Sequence, residues 1–368
     1  VNTLKELAKK LLSRDQLEKL KDWRSRFNLF GLRLLAGSKM LRRFHFAFFS
    51  SAFDREANAV VMGKLLHEQN QAGVETTNFF LRRAIHRLEK GLIMQPRRGV
   101  FALDYIEKAV DSYARSLSGC VAPDEMSWAH DVLESFFETT ASHPIIDAQR
   151  KKFDALEKPA SRLESLRRQG VGRVPFTAGT TPSVSVDADA FAGMCRERRS
   201  VRWYQNRPVP RDIIDRAVEL AVQAPSACNR QPYRFLIFDD PVSVAKVSEL
   251  PMGVAGFSDN FPAMIAIVGR LRAYPHSRDR HVIYIDGGLA AMSFIFALET
   301  LGVSSCSINW PDIPERELAA SKLLKLEPDE RIVMFISIGY AASEGLVPYS
   351  QKLALEDARA YGGAELAG

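Results

Sequence analysis

The chain has 368 residues, 46% hydrophobic and 26% charged, which is enough to bury one large core or two ordinary ones and excludes wholesale disorder. Its four cysteines (Cys120, Cys195, Cys228, Cys306) include no CxxC pair and its seven histidines no HExxH-like spacing, so reduced thiols and no structural metal are expected. The net charge of +6 belongs to the first half: residues 1–180 hold 30 Lys and Arg against 21 Asp and Glu, residues 181–368 hold 20 against 23.

Such a surplus could serve nucleic acid, acidic lipid or an anionic ligand. Spread over a mixed helical surface it reads as solvation, and no nucleic-acid partner is expected. The opening VNTLKELAKKLLSRDQLEKL is charged and helical, unlike an apolar run with a small-residue cleavage site, and implies a cytoplasmic protein. From Leu4 to about Leu166 apolar residues recur every three or four positions, predicting an all-helical domain over 1–168. Within it, 26–51 mixes basic residues with many aromatics. The preferred reading makes the phenylalanines core, and the rival lays the segment on an acidic membrane or a partner. Residues 78–106 place Arg82, Arg83, His86, Arg87, Glu89 and Lys90 on a helix and Arg97 and Arg98 in the following loop. His86 and Glu89, one turn apart, read as an i,i+3 ion pair before an acid–base pair. Pro123 marks a break and Asp124 a helix cap.

Residues 169–186, rich in Gly, Pro, Ser and Thr, read as a linker or wrapping arm. Gly170-Val171-Gly172 within it follows no strand and lacks the remainder of a dinucleotide or phosphate-loop motif. A second domain follows over 187–358, with a tail at 359–368. Its pattern predicts helices at 187–197, 211–223 and 241–250, strands at 234–239 and 263–269, and a long helix at 281–301. A strand at 303–308, a short helix from Pro314 and a strand at 331–339 complete an α+β domain around one sheet. Val282 to Leu301 is apolar on nearly every face, but Asp286, Gly287, Gly288 and Glu299 leave fewer than the ~18 clean residues of a membrane span. It is expected in the domain centre or between subunits of a homodimer, with Ala291 and Phe294 as positions where a charge would weaken the dimer.

Four segments occur in order: Arg198-Arg199-Ser200-Val201-Arg202; Ala224-Pro225-Ser226-Ala227-Cys228-Asn229-Arg230-Gln231-Pro232; Asp286 with GGLAAMSFIFALETLGVSSC; and Ser350-Gln351-Lys352-Leu353. Together they resemble the nitroreductase-like flavoprotein superfamily over about 187–358. The resemblance implies an α+β fold with a central mixed sheet flanked by helices and a buried dimer-interface helix, here preceded by the all-α domain. It implies non-covalent FMN, whose phosphate and ribityl end would take Arg198, Arg199 and Ser200, the guanidinium forks suiting a dianion. Arg202 would place positive charge at the pyrimidine edge of the ring. Pro225, Ser226 and Asn229 would meet the partner subunit's flavin, with Cys228 a small filler, although the loop's polar groups could merely satisfy backbone. Ile308 and Asn309 would present backbone amides near flavin N5, and Lys352 would close over the phosphate. Ser350 stands where many relatives carry a second basic residue, and Ser293 where the helix often has Asn.

The implied activity is hydride transfer from NADH or NADPH through flavin, in ping-pong order, to a small-molecule acceptor such as a nitroaromatic, quinone, enone or biosynthetic intermediate. No side chain need act as a nucleophile. Residues 78–106 also resemble the preface of longer superfamily members from cell-surface polysaccharide gene sets. The rivals are a flavin oxidase or dehydrogenase, as in azoline-oxidising members, and a flavin-binding scaffold whose basic helical half docks an anionic partner.

Overall fold

The computed structural model describes residues 14–159, 173–177 and 186–362. Most of the expected linker, Gly170 to Gly172 included, lies outside the described residues, as do the first helical turns from Leu4 and positions 363–368 of the tail. The chain forms two compact units, Val1–Asn58 and Ala59–Gly368.

In the first unit, α1 (Arg14–Gly37) and α2 (Lys39–Phe48) meet at Ser38, which is extended and whose side chain accepts from the Leu41 amide. Arg42 Nη1 donates to the Leu35 and Ala36 carbonyls at 2.9 and 2.8 Å and so fastens the end of α1. The expectation that the phenylalanines of 26–51 form a core is overturned: α2 buries no residue, and Phe27, Phe30, Phe44, Phe48 and Phe49 are exposed. Among the described residues of this unit, α1 and α2 have no further layer to close over their apolar faces.

In the second unit, the C-terminal part of α3 (Asp54–Asn70) joins α4 (Phe79–Leu92), α5 (Ile106–Leu117), α6 (Pro123–Thr139) and α7 (Pro144–Asp154). Asn78 caps α4 by accepting from the Leu81 amide, and prolines begin α6 and α7 where no helical N–H partner is needed. Asp124 is not the cap of α6; Ala122 holds that position, and Asp124 sits in the first turn, where its charge complements the dipole. Leu81, Ile85, Leu88, Tyr113, Leu133 and Phe136 form the core of this bundle.

The sheet domain comprises α8 (Ala188–Glu197), α9 (Arg211–Ala221), β1 (Tyr233–Phe238), α10 (Pro241–Ser248), β2 (Ala263–Arg270) and α11 (Val282–Thr300). It continues with β3 (Ser304–Ile308), α12 (Pro314–Leu324), β4 (Glu330–Gly339) and α13 (Leu355–Ala358). Strand order is β1-β2-β4-β3 and every pair is antiparallel; among the described residues the parallel component expected of a mixed sheet is a single bridge, Ser200 with Ser305. Side chains alternate across the central strand β2. Ile265 and Ile267 meet α9 and α11 through Ile214, Ala217, Phe294 and Leu298, while Met264, Ala266 and Val268 meet α10 and α12 through Val244, Val247 and Ala320. The β2–β4 register slips between Ile267 and Val268, which pair with Met334 and Ile332 and leave Val333 as the extra residue. A Cβ on Gly287 would stand 3.0 Å from Val333, so the glycine lets α11 settle against this bulge.

By length and composition the stretch Ser277–Thr300, which contains α11, could cross a membrane, yet half of its most apolar part is buried and the helix covers one face of the sheet. It is not buried all round. Ala291 and Phe294 are 1% and 0% exposed, inside the domain, whereas Ile285, Leu289 and Met292 face outward. The residues expected to mark a dimer surface therefore lie on the wrong side of the helix, because successive residues turn by about 100° and only a stripe can face the sheet.

The bundle joins the sheet through Arg272. Its backbone N–H and Nε donate to Asp329 Oδ2 at 2.8 and 2.9 Å, its Nη1 donates to Glu75 Oε1 at 2.9 Å, and its carbonyl accepts from His67 Nδ1 at 2.7 Å. Burial of His67 lowers its pKa from 6.5 despite the favourable bond to Arg272. The unfolded chain takes up this proton near 6.5 and the folded chain only at lower pH, so the contribution to stability is full above 6.5 and lost as pH falls. Urea midpoints measured from about pH 8 to about pH 5.5 should fall, and fall less in His67→Gln. Equal slopes would remove His67 from the acid response.

Candidate functional site

Beyond α8 the chain turns extended and runs along β3 and the end of β4. Val201 N–H donates to Ser305 O at 3.0 Å, Gln205 N–H to Tyr340 O at 2.8 Å, and Ala342 N–H to Trp203 O at 2.9 Å. Asn260 clamps the segment from outside, its Oδ1 accepting from Tyr204 N–H at 2.8 Å and its Nδ2 donating to Arg202 O at 2.9 Å. Buried Tyr204 holds it from below, its hydroxyl 2.8 Å from Val201 O and 2.9 Å from Ser337 Oγ. Burial pushes its pKa well above 10, so the phenol stays neutral.

The Arg198–Arg202 segment runs beside the start of β3, where Ser200 bridges Ser305, the neighbour of Cys306. Burial pushes the Cys306 thiol up, while the charges of Arg202 and Arg198 and a hydrogen bond with Ser200 pull it down. Arg198 also offsets the burial that raises Glu299. The Arg202 guanidinium stands 5.7 Å from the Phe257 ring. Arg198 is half-buried with its Nε buried and without a hydrogen-bond partner, so an anion acceptor at this point would satisfy it. Arg199 is turned to a different task. Its Nη1 donates to the carbonyls of Arg196 and Arg198 and covers the end of α8.

The second predicted segment is a short turn, Ala227–Asn229, with unusual backbone. Cys228, Asn229 and Gln231 have φ of 53°, 50° and 49°, three non-glycine residues in the left-handed region within four positions. Each costs free energy and persists only where surroundings enforce it. Ser226 Oγ accepts from Gln231 N–H at 3.0 Å, Gln231 Nε2 donates to Val222 O at 2.9 Å, and Ala227 N–H donates to the Asp286 carboxylate at 3.1 Å. Asp286, 2% exposed, also accepts from the Tyr274 hydroxyl at 2.6 Å. Burial raises the Asp286 pKa, and Tyr274, the Ala227 amide and the Arg230 charge lower it. Arg230 stacks 4.6 Å from the Tyr274 ring.

A further grip comes from the helical bundle. Arg82 Nε donates to Asn229 O at 2.8 Å and its Nη1 to Glu125 Oε2 at 2.9 Å. Glu125 also accepts from Thr77 Oγ1 and the Asn78 amide. The structure thus gives Ser226 and the Asn229 backbone to the loop's own support. Arg82, Tyr274 and Arg230 join the site without having been singled out for it. Asp286, isolated in an apolar helix, was the one legible sign of this network. His86 and Glu89 form the expected i,i+3 contact at 3.3 Å, and Glu89 is further committed to Trp128 Nε1 at 2.9 Å.

The segments do not all meet within one chain. Ser226 and its loop lie by Asp286 near the start of α11, whereas Ser200 bridges Ser305 just past its end at Thr300, and the fourteen residues from Asp286 to Thr300 span about 21 Å. The sheet agrees, since the loop leads into β1 at Tyr233, paired with Gly269, while Ser200 bridges Ser305, beside Ile338 at the far end of β4. Ile308 is buried among Trp310 and Phe335, with Asn309 exposed just past β3, on the same edge as Ser200. Pro225 leads the loop. Ser350 and Lys352 are exposed in a C-terminal segment whose Leu346, Tyr349 and Leu353 are exposed as well.

Residues 195–256 and 255–340 match the family model described as "Nitroreductase family". A protein described as an NADH dehydrogenase/NAD(P)H nitroreductase from Archaeoglobus fulgidus is 30% identical over 41% of this chain and 85% of its own. Iodotyrosine deiodinase 1 of Sus scrofa is 23% identical over 48% of this chain and 71% of its own. A solved structure from Parabacteroides distasonis, also described as an NADH dehydrogenase/NAD(P)H nitroreductase, covers 47% of this chain and 99% of its own at 22% identity, with a TM-score of 0.42.

Replacing Arg82 with Leu leaves Glu125 buried without its cation and the Asn229 carbonyl without its donor. The expected cost is about 2–3 kcal/mol in urea unfolding, with faster amide exchange at 227–231 and no change in β2. Unchanged exchange in the loop would show that Arg82 does not hold it.

Proposed function

Because this chain belongs to the nitroreductase family, we propose that it is an FMN-dependent oxidoreductase that takes hydride from NADH or NADPH and passes electrons to a small-molecule acceptor, as a homodimer with each flavin between subunits. One observation carries this reading: Ser200, in the Arg198–Arg202 segment, bridges Ser305 just past the C-terminal end of α11, whereas the Ser226–Asn229 loop lies against Asp286 near its start. A second copy brings the loop of one chain to the arginines of the other.

The residues present fit the cofactor. Arg198, with its unpartnered Nε, and Ser200 would hold the phosphate and ribityl end, and Arg202 would set positive charge beside the ring. The strained 226–231 backbone, held by Asp286 and Arg82, would offer a rigid edge to the partner's flavin. Lys352 would close over the phosphate from the exposed C-terminal segment, whose apolar side chains would cover the second copy. Arg199 would contribute through the end of α8 rather than by direct contact. When bound, FMN supplies reversible two-electron hydride chemistry that no side chain here provides.

The relatives include a deiodinase as well as a nitroreductase, which leaves the acceptor to be chosen among nitro, quinone, enone and halogenated compounds. We place the protein in the cytoplasm, a reducing compartment in which its four free thiols persist.

The purified protein should be yellow and should bleach anaerobically on NADH or NADPH. Failure to take up FMN would refute the reading, and bound flavin that neither nucleotide bleaches would shift it to an oxidase or a flavin-binding scaffold. Arg198→Ala and Lys352→Ala should each weaken FMN binding by about 1.5–3 kcal/mol in flavin titrations without unfolding the chain. For assembly, Leu289→Asp on the outer face of α11 should lower dimer content and flavin occupancy together by sedimentation, whereas Ala291→Asp should unfold the domain. A stable monomer with full flavin would place the site within one chain.

A further inference from the structure

Residues 23–53 carry six Lys and Arg, no Asp or Glu, and eight Phe and Trp. Asp22 and Asp54 bound this acid-free run. The aromatics are not core: Met40 is 81% exposed and Phe48 72%, and Trp23 and Phe27 stack on each other at the surface with centroids 5.6 Å apart. Such exposure over two helices exceeds the scatter of single apolar residues normal on a protein surface.

The arrangement on α2 says what would cover it. At 3.6 residues per turn, Met40, Leu41, Phe44 and Phe48 fall within an arc of about 120°, and Lys39, Arg42 and Arg43 fall on the opposite side together with Phe46, whose ring packs on Phe53 at 4.8 Å. Phe44 packs against Phe48 and Phe49 with centroids 4.9 and 5.7 Å apart, making one continuous apolar face. Arg42 holds α2 to the end of α1, so this face belongs to a fixed helical corner.

We propose that residues 23–53 form a docking surface for an anionic lipid bilayer, with the apolar face of α2 entering the headgroup–acyl boundary and the basic side chains meeting lipid phosphates. Segregation of the two chemistries favours this partner, because a nucleic-acid surface interleaves its aromatic and basic groups so that bases stack while phosphates pair. A second copy fits less well, since pairing this surface with itself brings like charges together with no acid in the run to neutralise them. The proposal does not depend on the flavin.

The test is co-sedimentation of the full chain with vesicles of phosphatidylcholine alone and with about 30% phosphatidylglycerol, at low and high salt. Binding to the anionic vesicles is expected, weakened by salt and reduced about tenfold both in Lys39→Glu/Arg43→Glu and in Phe44→Ser/Phe48→Ser. Circular dichroism and the thermal midpoint should be unchanged in both variants, because none of these side chains is buried. No binding by the wild type, or equal binding to neutral vesicles with no effect of charge reversal, would overturn the proposal. So would loss of self-association in the variants without vesicle binding, which would assign the face to a second copy.

Discussion

The position of α11 on the antiparallel sheet is the constraint on which the sheet domain depends. Phe294 packs against Phe235 with centroids 5.3 Å apart, and Gly287 admits the bulged Val333. A 19-residue helix so held is a strut of about 28 Å, and what lies at its two ends cannot approach within one chain. The arginine segment and the strained loop are fixed at those ends by different partners, β3 for one and Asp286 for the other. Separation of the two halves is thus a consequence of core packing, and the proposed completion of the site by a second copy rests on the same geometry.

The loop at 226–231 shows how polar burial and backbone strain offset each other. Left-handed Cys228, Asn229 and Gln231 would relax if free, and burying Asp286 carries its own desolvation cost. The two costs are met by one network: Asp286 gains the Ala227 amide and the Tyr274 hydroxyl, and Arg82 ties the Asn229 carbonyl to Glu125 at the N-terminal cap of α4. The helical bundle therefore does more than precede the sheet domain in sequence. Through Arg82 and through Arg272, with its bonds to Glu75 and Asp329, it sets the position of the segments flanking the candidate site.

The first unit obeys a different balance. Its helices are capped and fastened, by Ser38 and Arg42, yet Trp23, Phe27, Phe30, Phe44 and Phe48 stay in contact with water. Local hydrogen bonds suffice to define helices, but hydrophobic free energy is gained only when another surface covers the apolar area. That term is unspent in residues 23–53 and is available to a partner.

The element order of 187–358 was legible in the sequence because alternation at two residues and recurrence at 3.6 are local signals; β1, β2, α11 and β4 begin and end within one or two residues of expectation. The motif residues stood out by the family resemblance of four ordered segments, and Asp286 by its isolation in an apolar helix. Tertiary structure decided everything that depends on which face meets what. Ala291 and Phe294 point to the sheet and Leu289 away from it, although all three are apolar members of one helix. Arg199 covers carbonyls while Arg198 keeps an unpartnered Nε, although the two are neighbours of one type. The phenylalanines of 26–51 are exposed while Phe136 and Phe153 are buried, because burial requires a facing layer and periodicity carries no record of one. Arg82 reaches a carbonyl 147 positions along the chain, a pairing that spacing cannot encode. The sequence by itself determined local conformation and residue chemistry, since both act over a few neighbouring residues; packing between distant segments alone determined which of those residues converge.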